Sequence, residues 1–379
     1  MATRQDQPQS RKLRRGGAAT TIHDVAARAG VSVATVSRVL NGKAVVRAAT
    51  QRQVLAAAKA LRYAPNVAAR SLSSRRSQTI GIVLPDVHGE FFSEVIRGVD
   101  LAARRAGYHI LVSGSHSDTG EMMEVLAAMR GRVDGLVVMA PDVALAALPR
   151  ALPAGLPLVL LNSLADGHDA ITIDNYGGAQ LMMRHLAGLG HVRIAFIKGP
   201  RQNADARERL RGYRDAMRGH ARSRSGTRAG KPAPRWELAG DFTEESGRTA
   251  ARALLAAAPR PTAIFAANDS MAVGALAALA EAGVQVPGEM SVAGFDDIPV
   301  ARYVTPPLTT IRVDIADLGR RAFGLLHDAI ERPSTPARKR RDSIATALVA
   351  RGSCRSPRTD IEPSTRPERA RRGRRKGEM

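Results

Sequence analysis

The chain has 379 residues, with 57 lysines and arginines against 35 aspartates and glutamates, a net charge of +22 and a single cysteine, Cys354. This length predicts two or three folding units, and a hydrophobic content of 44% excludes wholesale disorder. One cysteine excludes a disulfide framework and a multi-cysteine zinc site. No apolar run is long enough to span a membrane, and the first 20 residues lack the apolar core of a secretory signal. We therefore expect a cytoplasmic protein without membrane contact.

The excess positive charge is confined to a few segments. The net charges of these segments are +4 in 1–20, +9 in 21–78, +5 in 220–235 and +10 in 332–379. The rest of the chain carries −6. A basic module on a mildly acidic body indicates a polyanionic partner. Arg-rich tails alone would not, since they are typical of solvated, disordered extensions.

Residues 20–42 have the pattern of two short helices joined by a tight turn. Thr21 and Asp24 resemble a capping box, Gly30 permits the turn, and Ser32 can cap a second helix that ends at Leu40. A third helix is predicted at about 48–62, with an apolar stripe of Val54, Leu55, Ala58 and Leu61. Three helices in this arrangement form either a plain bundle or a helix-turn-helix, whose second helix enters a DNA major groove.

The polar residues of the second helix favour DNA binding over a plain bundle. Arg38 can pair with both acceptors of a guanine edge, and Ala34 can contact a thymine methyl group. Thr35, Ser37 and Thr50 suit contacts to phosphate.

The segment after the third helix is either a plain linker or a hinge helix. Pro65 ends the third helix, and Asn66 can cap a short helix over 67–73 that carries Ala69 and Leu72 on its apolar side. A hinge helix would insert Leu72 into the minor groove. The residues alone favour neither alternative.

Two stretches resemble one known family. The stretch DVAARAGVSVATVSRVLNG, followed by YAPNVAARSL, resembles the LacI (lactose repressor)/GalR family of bacterial transcriptional regulators, and the likeness continues to ARGS at 350–353. The resemblance implies that two hinge helices pair in a homodimer and that each inserts its leucine, here Leu72, between base steps. It also places Val33 and Ala34 next to the base edges. The remaining predicted DNA contacts are Thr21, Ser32, Asn41, Asn66 and Ala69.

Two residues depart from the family pattern. Arg47 stands where the family usually has serine at the start of the third helix, and Gln51 stands where it has a basic residue. The first departure removes a helix cap worth about 1 kcal/mol. Neither departure changes the interpretation of the module as a DNA-binding domain.

From Gln78 onward, short apolar runs alternate with helical patterns. The predicted strands lie in 79–86, 109–114, 134–141, 156–162, 191–199, 236–240, 262–269 and 290–297. Strands that alternate with helices predict parallel sheets covered on both faces. The alternation of strands and helices starts a second time at 191–199. This predicts two α/β lobes with a ligand cleft at the carboxyl ends of their strands. The resemblance makes this a periplasmic-binding-protein-like domain, with crossovers between the lobes near 175, 305 and 340.

The predicted domain organisation follows from these patterns. The parts are a basic disordered tail (1–20), a helix-turn-helix domain (21–65), a hinge helix or linker (66–78), a two-lobed effector-binding and dimerisation domain (79–354) and a second basic disordered tail (355–379). The first lobe is expected at about 79–174 and 306–332, and the second at about 175–305 and 340–354. The insert 220–235 is expected to be a mobile surface loop. The insert and the tail are hypothesised to add salt-sensitive DNA affinity.

Polar and aromatic residues cluster where the predicted strands end. Arginine with aspartate and asparagine can bind neighbouring hydroxyl groups, and an aromatic face can stack on a sugar ring. By resemblance to family pockets, the expected ligand contacts are Asp86, Phe91, Phe92, Arg209, Phe242, Asn268 and Asp296. Asp269 and Asp297 fit helix capping and salt bridges better than ligand binding. Asn162 stands where many relatives have an acidic residue.

The motifs of the common enzyme classes are absent from the sequence. There is no dinucleotide fingerprint, no Walker A motif and no nucleophile elbow, and the nine histidines lack metal-site spacing. No cofactor, metal or catalytic residue is therefore expected. The predicted function is a repressor that binds a palindromic double-stranded DNA operator as a homodimer and is controlled by a small-molecule effector, a sugar or sugar derivative. The alternative is a basic architectural DNA-binding protein with a vestigial sugar-binding domain.

Overall fold

The computed structural model describes residues 20–41, 46–63, 76–141, 155–224, 236–332 and 340–357. For Asn41 and residues 220–224 it describes the backbone alone. The chain divides into two compact units, Met1–Ser77 and Gln78–Met379. Each unit is described by itself below.

The N-terminal unit contains three helices. They are α1 (Ile22–Ala29), α2 (Val33–Asn41) and α3 (Ala48–Ala60). The predicted capping box is present, since Thr21 accepts a hydrogen bond from the Asp24 amide while the Asp24 side chain accepts one from the Thr21 amide. Gly30 has φ of 61°, a left-handed conformation that lets α1 stop and the chain turn into α2. Arg47 stands at the start of α3 without a side-chain cap, as its substitution for serine predicts.

The core of this unit is formed by one face of each helix. Its fully or almost fully buried members are Val25, Ala26, Ala29, Val36, Val39, Val54, Ala57 and Ala58. The prediction that Leu55 closes this core is wrong, because its side chain is 47% exposed. The buried stripe of α3 instead runs through Val54, Ala57 and Ala58, which follow helical spacing from one another.

The first lobe of the C-terminal unit is a six-stranded sheet. Its strands are β1 (Thr79–Leu84), β2 (His109–Gly114), β3 (Gly135–Met139), β4 (Leu158–Leu161), β5 (Asp169–Ile173) and β11 (Arg341–Ile344), in the order β11-β5-β4-β3-β1-β2. The helices that follow β1 and β2 are α4 (Glu90–Arg105) and α5 (Thr119–Met129). All pairings are parallel, and β3 and β4 are buried along their whole length. Helices on both faces explain why these strands are continuous apolar runs.

The second lobe is a four-stranded parallel sheet in the order β7-β6-β8-β9. Its strands are β6 (Ile194–Ile197), β7 (Glu237–Leu238), β8 (Ala263–Ala266) and β9 (Ser291–Ala293). Its helices are α6 (Asn175–Gly188), α7 (Ala204–Arg224), α8 (Glu244–Leu255) and α9 (Asp269–Glu281). The helices α8 and α9 approach each other closely at Gly274, where a Cβ atom would lie 1.8 Å from the Glu244 carbonyl oxygen. Only glycine fits there, which allows α8 and α9 to pack together.

Three crossovers join the lobes. The first lies between Ile173 and Asn175. The others involve β10 (Thr310–Val313) and β12 (Thr346–Val349), which form an antiparallel pair, and α10 (Ile315–Glu331), which packs on α4 of the first lobe. A short 3-10 helix at Pro299–Arg302 precedes β10.

Two predicted lobe boundaries differ from the structure. The second crossover was expected near 305, but the Asp296 amide still donates to the Ile311 carbonyl, so the chain remains with the second lobe until about Val313. Residues 340–354 were assigned to the second lobe, yet β11 pairs with β5 of the first lobe. The third crossing therefore lies between Ile344 and Thr346.

The predicted edges of the insert and of the C-terminal tail also differ from the structure. Residues 220–224 of the insert continue α7, and residues 225–235 lie outside the described part. The tail was expected to start at Arg355, but the Arg355 amide donates to Ser291 Oγ at 3.1 Å and its carbonyl lies 2.9 Å from His191 Nε2. His191 is buried and ties this segment to the sheet.

Candidate functional site

Loops at the carboxyl ends of both sheets enclose a cavity of about 550 Å³. Parallel strands bring the loops that follow them to one edge of a sheet, so residues distant in sequence meet there. All seven predicted ligand contacts line this cavity, namely Asp86, Phe91, Phe92, Arg209, Phe242, Asn268 and Asp296. Its volume is in the usual range for small-molecule sites. Whether each residue contacts a ligand stays a prediction.

Arg209 is the most tightly held side chain of the cavity wall. It is 3% exposed, and its Nε donates to Asn175 Oδ1 at 2.7 Å. Its Nη1 donates to the Ala267 carbonyl at 2.5 Å, and its Nη2 lies 3.0 Å from Asp296 Oδ1. The guanidinium also stacks 3.8 Å above the centre of the Phe295 ring. These contacts from three sides fix its orientation before any ligand enters.

Asp296 is a buried carboxylate whose pKa is subject to two opposing effects. Burial raises the pKa of Asp296 to about 6, although the neighbouring Arg209 guanidinium lowers it. Its backbone has φ of 108°, an uncommon conformation for a residue other than glycine. The close pairing with Arg209 therefore sets the position of this group, while burial outweighs the guanidinium in setting its ionisation.

The two neighbouring aspartates, Asp269 and Asp297, form contacts within the protein that stabilise the fold. Asp269 is fully buried and accepts hydrogen bonds from Thr310 Oγ1 at 2.5 Å and from the Ile298 amide at 2.9 Å. Burial and the nearby Asp296 raise the pKa of Asp269 well above its ordinary value. Asp297 forms ion pairs with Arg312 and Arg351, two residues of the crossover region. Structural roles for both residues agree with the sequence interpretation.

The aromatic residues lie on opposite sides of the cavity. Phe91 and Phe92 begin α4 in the first lobe, with their rings edge to face at 5.6 Å. Phe242 belongs to the second lobe and has φ of 75°. Asn268 caps α9, since its Oδ1 accepts from the Met271 amide, while its Nδ2 donates to the Phe242 carbonyl at 2.9 Å. Asn268 therefore also holds the loop that carries Phe242.

Several lining residues were not among the predicted ligand contacts. The cavity wall also includes His88, Glu90, His116, Asn162, Asn203, Asp205, Asp241 and Glu244. Asn162 follows β4 directly, and its buried Oδ1 has no hydrogen-bond partner among the described residues. Their common signal is position, because nearly all of them lie in loops that follow a strand or in the first turn of the next helix.

Two hydrogen bonds cross the cleft from one lobe to the other. The Val300 amide, at the start of the 3-10 helix, donates to Glu90 Oε2 at 2.8 Å. The Ala204 amide, the first of α7, donates to the Pro141 carbonyl at 3.2 Å. Both amides are at helix starts, where no partner exists within the helix itself. Groups of the first lobe thus cap two helices of the second.

The predicted DNA contacts in the N-terminal unit lie on or beside α2. Ala34 and Arg38 are exposed one turn apart on α2. Thr21 caps α1, and Ser32 Oγ accepts from the Thr35 amide at 3.2 Å, so these hydroxyls also serve as caps. Val33, Ser37 and Thr50 are half-buried. The side chain of Asn41 and residues Asn66, Ala69 and Leu72 lie outside the described residues.

Other chemistry finds little support in the described part of the chain. No helix there is both long and apolar enough to cross a membrane. No group of three or more potential metal ligands lies together among the same residues. Burial raises the pKa of the Cys354 thiol to about 11, so this cysteine is unreactive at neutral pH.

Comparison with known proteins identifies both units. Residues 21–66 match the model of bacterial regulatory proteins of the lacI family, and residues 183–354 match that of a periplasmic binding protein-like domain. The transcriptional regulator GalR of Salmonella typhimurium is 39% identical over 312 residues, which cover 80% of this chain and 88% of GalR. The ribose operon repressor of Escherichia coli is 38% identical, with coverage of 88% and 99%.

A solved structure has the same architecture. The lac repressor dimer bound to operator and the anti-inducer ONPF superimposes with a TM-score of 0.79 at 30% identity, and the match covers 89% of this chain and 100% of that one. The predicted fold class is thereby confirmed. The relatives are transcription regulators, which also confirms the prediction that this chain is no enzyme. With a helix-turn-helix unit, a two-lobed ligand-cleft unit and relatives matched over most of its length, the chain belongs to the LacI family of bacterial regulatory proteins.

Proposed function

We propose that this chain is a repressor that binds a palindromic operator as a homodimer. Its affinity for the operator falls or rises when a sugar or sugar derivative occupies the cavity between the lobes. The observation that carries the proposal is the convergence of Arg209, Asp296 and Phe242 on one cavity. A fixed guanidinium and a carboxylate suit the hydroxyl groups of a sugar, and an aromatic face suits its ring. A relative named for the ribose operon supports the same ligand class.

The homodimer would form along α4 and the edge strand β2. β2 ends the six-stranded sheet and has a neighbouring strand on one side only. Leu101 of α4 is 46% exposed and Leu111 of β2 is 38% exposed, so both elements offer an apolar side chain that a second copy could cover. A single helix-turn-helix buries little DNA surface, so two copies on a two-fold symmetric site are the usual solution.

Control by the effector requires only unequal binding to two arrangements of the lobes. If the ligand binds the closed arrangement more tightly than the open one, it shifts the population towards closure. Any difference in DNA affinity between the two arrangements is then coupled to the ligand, and the coupling is reciprocal. We assign the two hydrogen bonds that cross the cleft, from the Val300 amide to Glu90 and from the Ala204 amide to Pro141, to the closed arrangement.

The decisive experiment is operator binding to genomic fragments, repeated with a panel of sugars. We expect a palindromic fragment to bind specifically and one sugar to change its affinity at least about tenfold, equivalent to about 1.4 kcal/mol of coupling. Binding that follows only the salt concentration, with no sequence preference, would refute the repressor proposal. Specific binding that no sugar alters would refute the effector class alone.

A further inference from the structure

The cavity wall is strongly acidic. Its carboxylates are Asp86, Glu90, Asp205, Asp241, Glu244 and Asp296. Its basic residues are Arg209, which is paired with Asp296, and the two histidines His88 and His116. His88 Nδ1 lies 3.1 Å from Asp86, and His116 is hydrogen-bonded to Glu121. The positive charges of the wall are therefore already matched by carboxylates.

Three of the carboxylates have no cationic partner in the described contacts. Glu90 accepts from the Val300 amide, and Asp241 accepts from the amide and hydroxyl of Thr243. Glu244 is exposed, and its carboxylate forms no hydrogen bond or ion pair with another described residue. Their uncompensated charge makes the cavity attract cations and repel anions, and low-dielectric cleft walls strengthen that field.

An unpartnered buried group of the wall independently indicates a ligand. Asn162 is 3% exposed, lines the cavity, and has no hydrogen-bond partner for its Oδ1 among the described residues. A buried acceptor without a partner is costly, so a donor from the ligand would relieve it. The hydroxyl and ammonium groups of an amino sugar both supply such donors.

The turn after β7 combines charge with an aromatic face. Asp241, Phe242 and Glu244 all line the cavity within four consecutive residues. An ammonium group is attracted both by carboxylates and by the face of a phenyl ring. A neutral sugar could stack on the ring but would leave the carboxylates of the turn without a cationic partner.

We propose that the effector is an amino sugar whose ammonium group lies at the Asp241–Glu244 turn, and that sugar acids and sugar phosphates are excluded from the cavity. This inference rests on the proposed sugar effector and specifies its charge. Hydroxyl groups of the same ligand donate to Asn162, and its ring packs on Phe242. The cavity thus selects its ligand by charge as well as by the arrangement of its hydroxyl groups.

The test is calorimetric titration of the full-length protein with matched series of sugars. The series are D-galactosamine, D-galactose and D-galacturonate, and D-glucosamine, D-glucose and D-glucuronate. In at least one series we expect the amino sugar to bind at least about tenfold more tightly than the neutral sugar, and the acid not to bind. Added sodium chloride should reduce the advantage of the amine, since it screens charge at an open cleft.

Two adjacent glutamates provide the matched variants. Glu244→Gln removes a cavity carboxylate and should lower the amine-to-neutral affinity ratio at least about threefold. Glu245 is exposed in the same first turn of α8 but does not line the cavity, so Glu245→Gln should leave the ratio unchanged. Equal effects of the two variants would overturn the assignment of the ammonium to this turn.

The remaining outcomes separate this inference from the proposed function. If a neutral or acidic sugar binds as tightly as its amine and alters operator binding, the charge inference is wrong and the sugar effector stands. If no member of either series binds at millimolar concentration while operator binding is intact, both are overturned.

Discussion

At the scale of single residues, Arg38 is the side chain of α2 best placed to read a base. It is exposed one turn after Ala34 and forms no hydrogen bond or ion pair with another described residue. Arg38→Ala should cost about 1–3 kcal/mol in operator binding and relax the preference at one base pair. Arg28→Ala removes the same charge from the exposed last turn of α1 and is the control. Gel-shift titrations on operator and scrambled DNA check this, and equal losses for both variants would contradict it.

The ionisation of Asp296 predicts a pH dependence of effector binding. The pKa of Asp296 is raised to about 6, so the carboxylate is ionised above this pH and protonated below it. Protonation removes the ion pair with Arg209 and the acceptor that a sugar hydroxyl needs. Since the ionised fraction falls from about nine-tenths at pH 7 to about one-tenth at pH 5, affinity for a neutral sugar should fall about tenfold.

The control for this pH profile is Asp296→Asn. His88 and His116 also line the cavity, and both remain in the variant. The difference between the two profiles therefore reports Asp296. Calorimetry between pH 5 and pH 8 gives both curves, and parallel curves would rule out this role for Asp296.

Residue types at strand ends explain which side chains of the site were predictable. Asp296 stood out because it follows an apolar run, whereas Arg209, early in α7, was assigned from the resemblance to family pockets; both line the cavity. Glu90 and Glu244 stand in the first turns of helices, where acidic residues are common for reasons of helix stability alone. Their position in the wall depends on the approach of the two lobes, which no local pattern encodes.

At the scale of secondary structure elements, two helix starts are capped from the opposite lobe. Glu90→Ala would remove the acceptor of the Val300 amide and leave that amide uncapped in the closed arrangement. A hydrogen bond to a charged group contributes about 1.5–3 kcal/mol, and partial hydration of the open state reduces the net effect. We therefore expect about threefold to tenfold weaker binding of a neutral sugar, together with a larger radius of gyration in small-angle scattering.

A matched control lies on the same helix. Glu94 pairs with Arg97 within α4 and makes no contact across the cleft in the described residues. Glu94→Ala should change neither the sugar affinity nor the radius of gyration. A loss of sugar affinity of the same size in both variants would mean that α4 itself is disturbed and that the contact across the cleft is unimportant.

The predictability of strands followed their hydrophobicity. Eight apolar runs in the predicted body contain the strands β1 to β4 and β6 to β9. The strands β5, β10, β11 and β12 were not identified, although none of them is shorter than β4, β6 or β8. Three of the missed strands carry exposed or charged residues at lobe crossings. β11 has three exposed residues out of four. Such strands form because a neighbouring strand offers hydrogen bonds, and only the assembled sheet contains that information.

At the scale of the whole molecule, we expect the dimer to depend on two leucines of the first lobe. The double variant Leu101→Glu, Leu111→Glu places charge on the proposed contact face and should yield monomers in sedimentation velocity runs. Operator affinity should fall by at least about tenfold, because one module then binds alone. Leu164→Glu is the control, since Leu164 is 55% exposed on a different loop. A dimeric double variant would locate the interface elsewhere.

The basic C-terminal segment supplies a second prediction at this scale. Residues 358–379 contain eight basic and four acidic residues, and Arg355 stays bound to the second lobe. Deletion of 358–379 should reduce the slope of log affinity against log salt concentration by about 2 to 4, while the preference for operator over scrambled DNA stays constant. Binding titrations at four salt concentrations check this, and an unchanged slope would show that the segment does not contact DNA.

The single cysteine, Cys354, has a practical consequence for observing these motions. It is half-buried, and burial raises the pKa of its thiol to about 11. In a maleimide reaction at neutral pH the natural sequence should therefore react slowly without any substitution. One cysteine introduced on the surface of each lobe would carry a fluorophore pair, and energy transfer in single molecules would then report opening and closing directly as each effector is added.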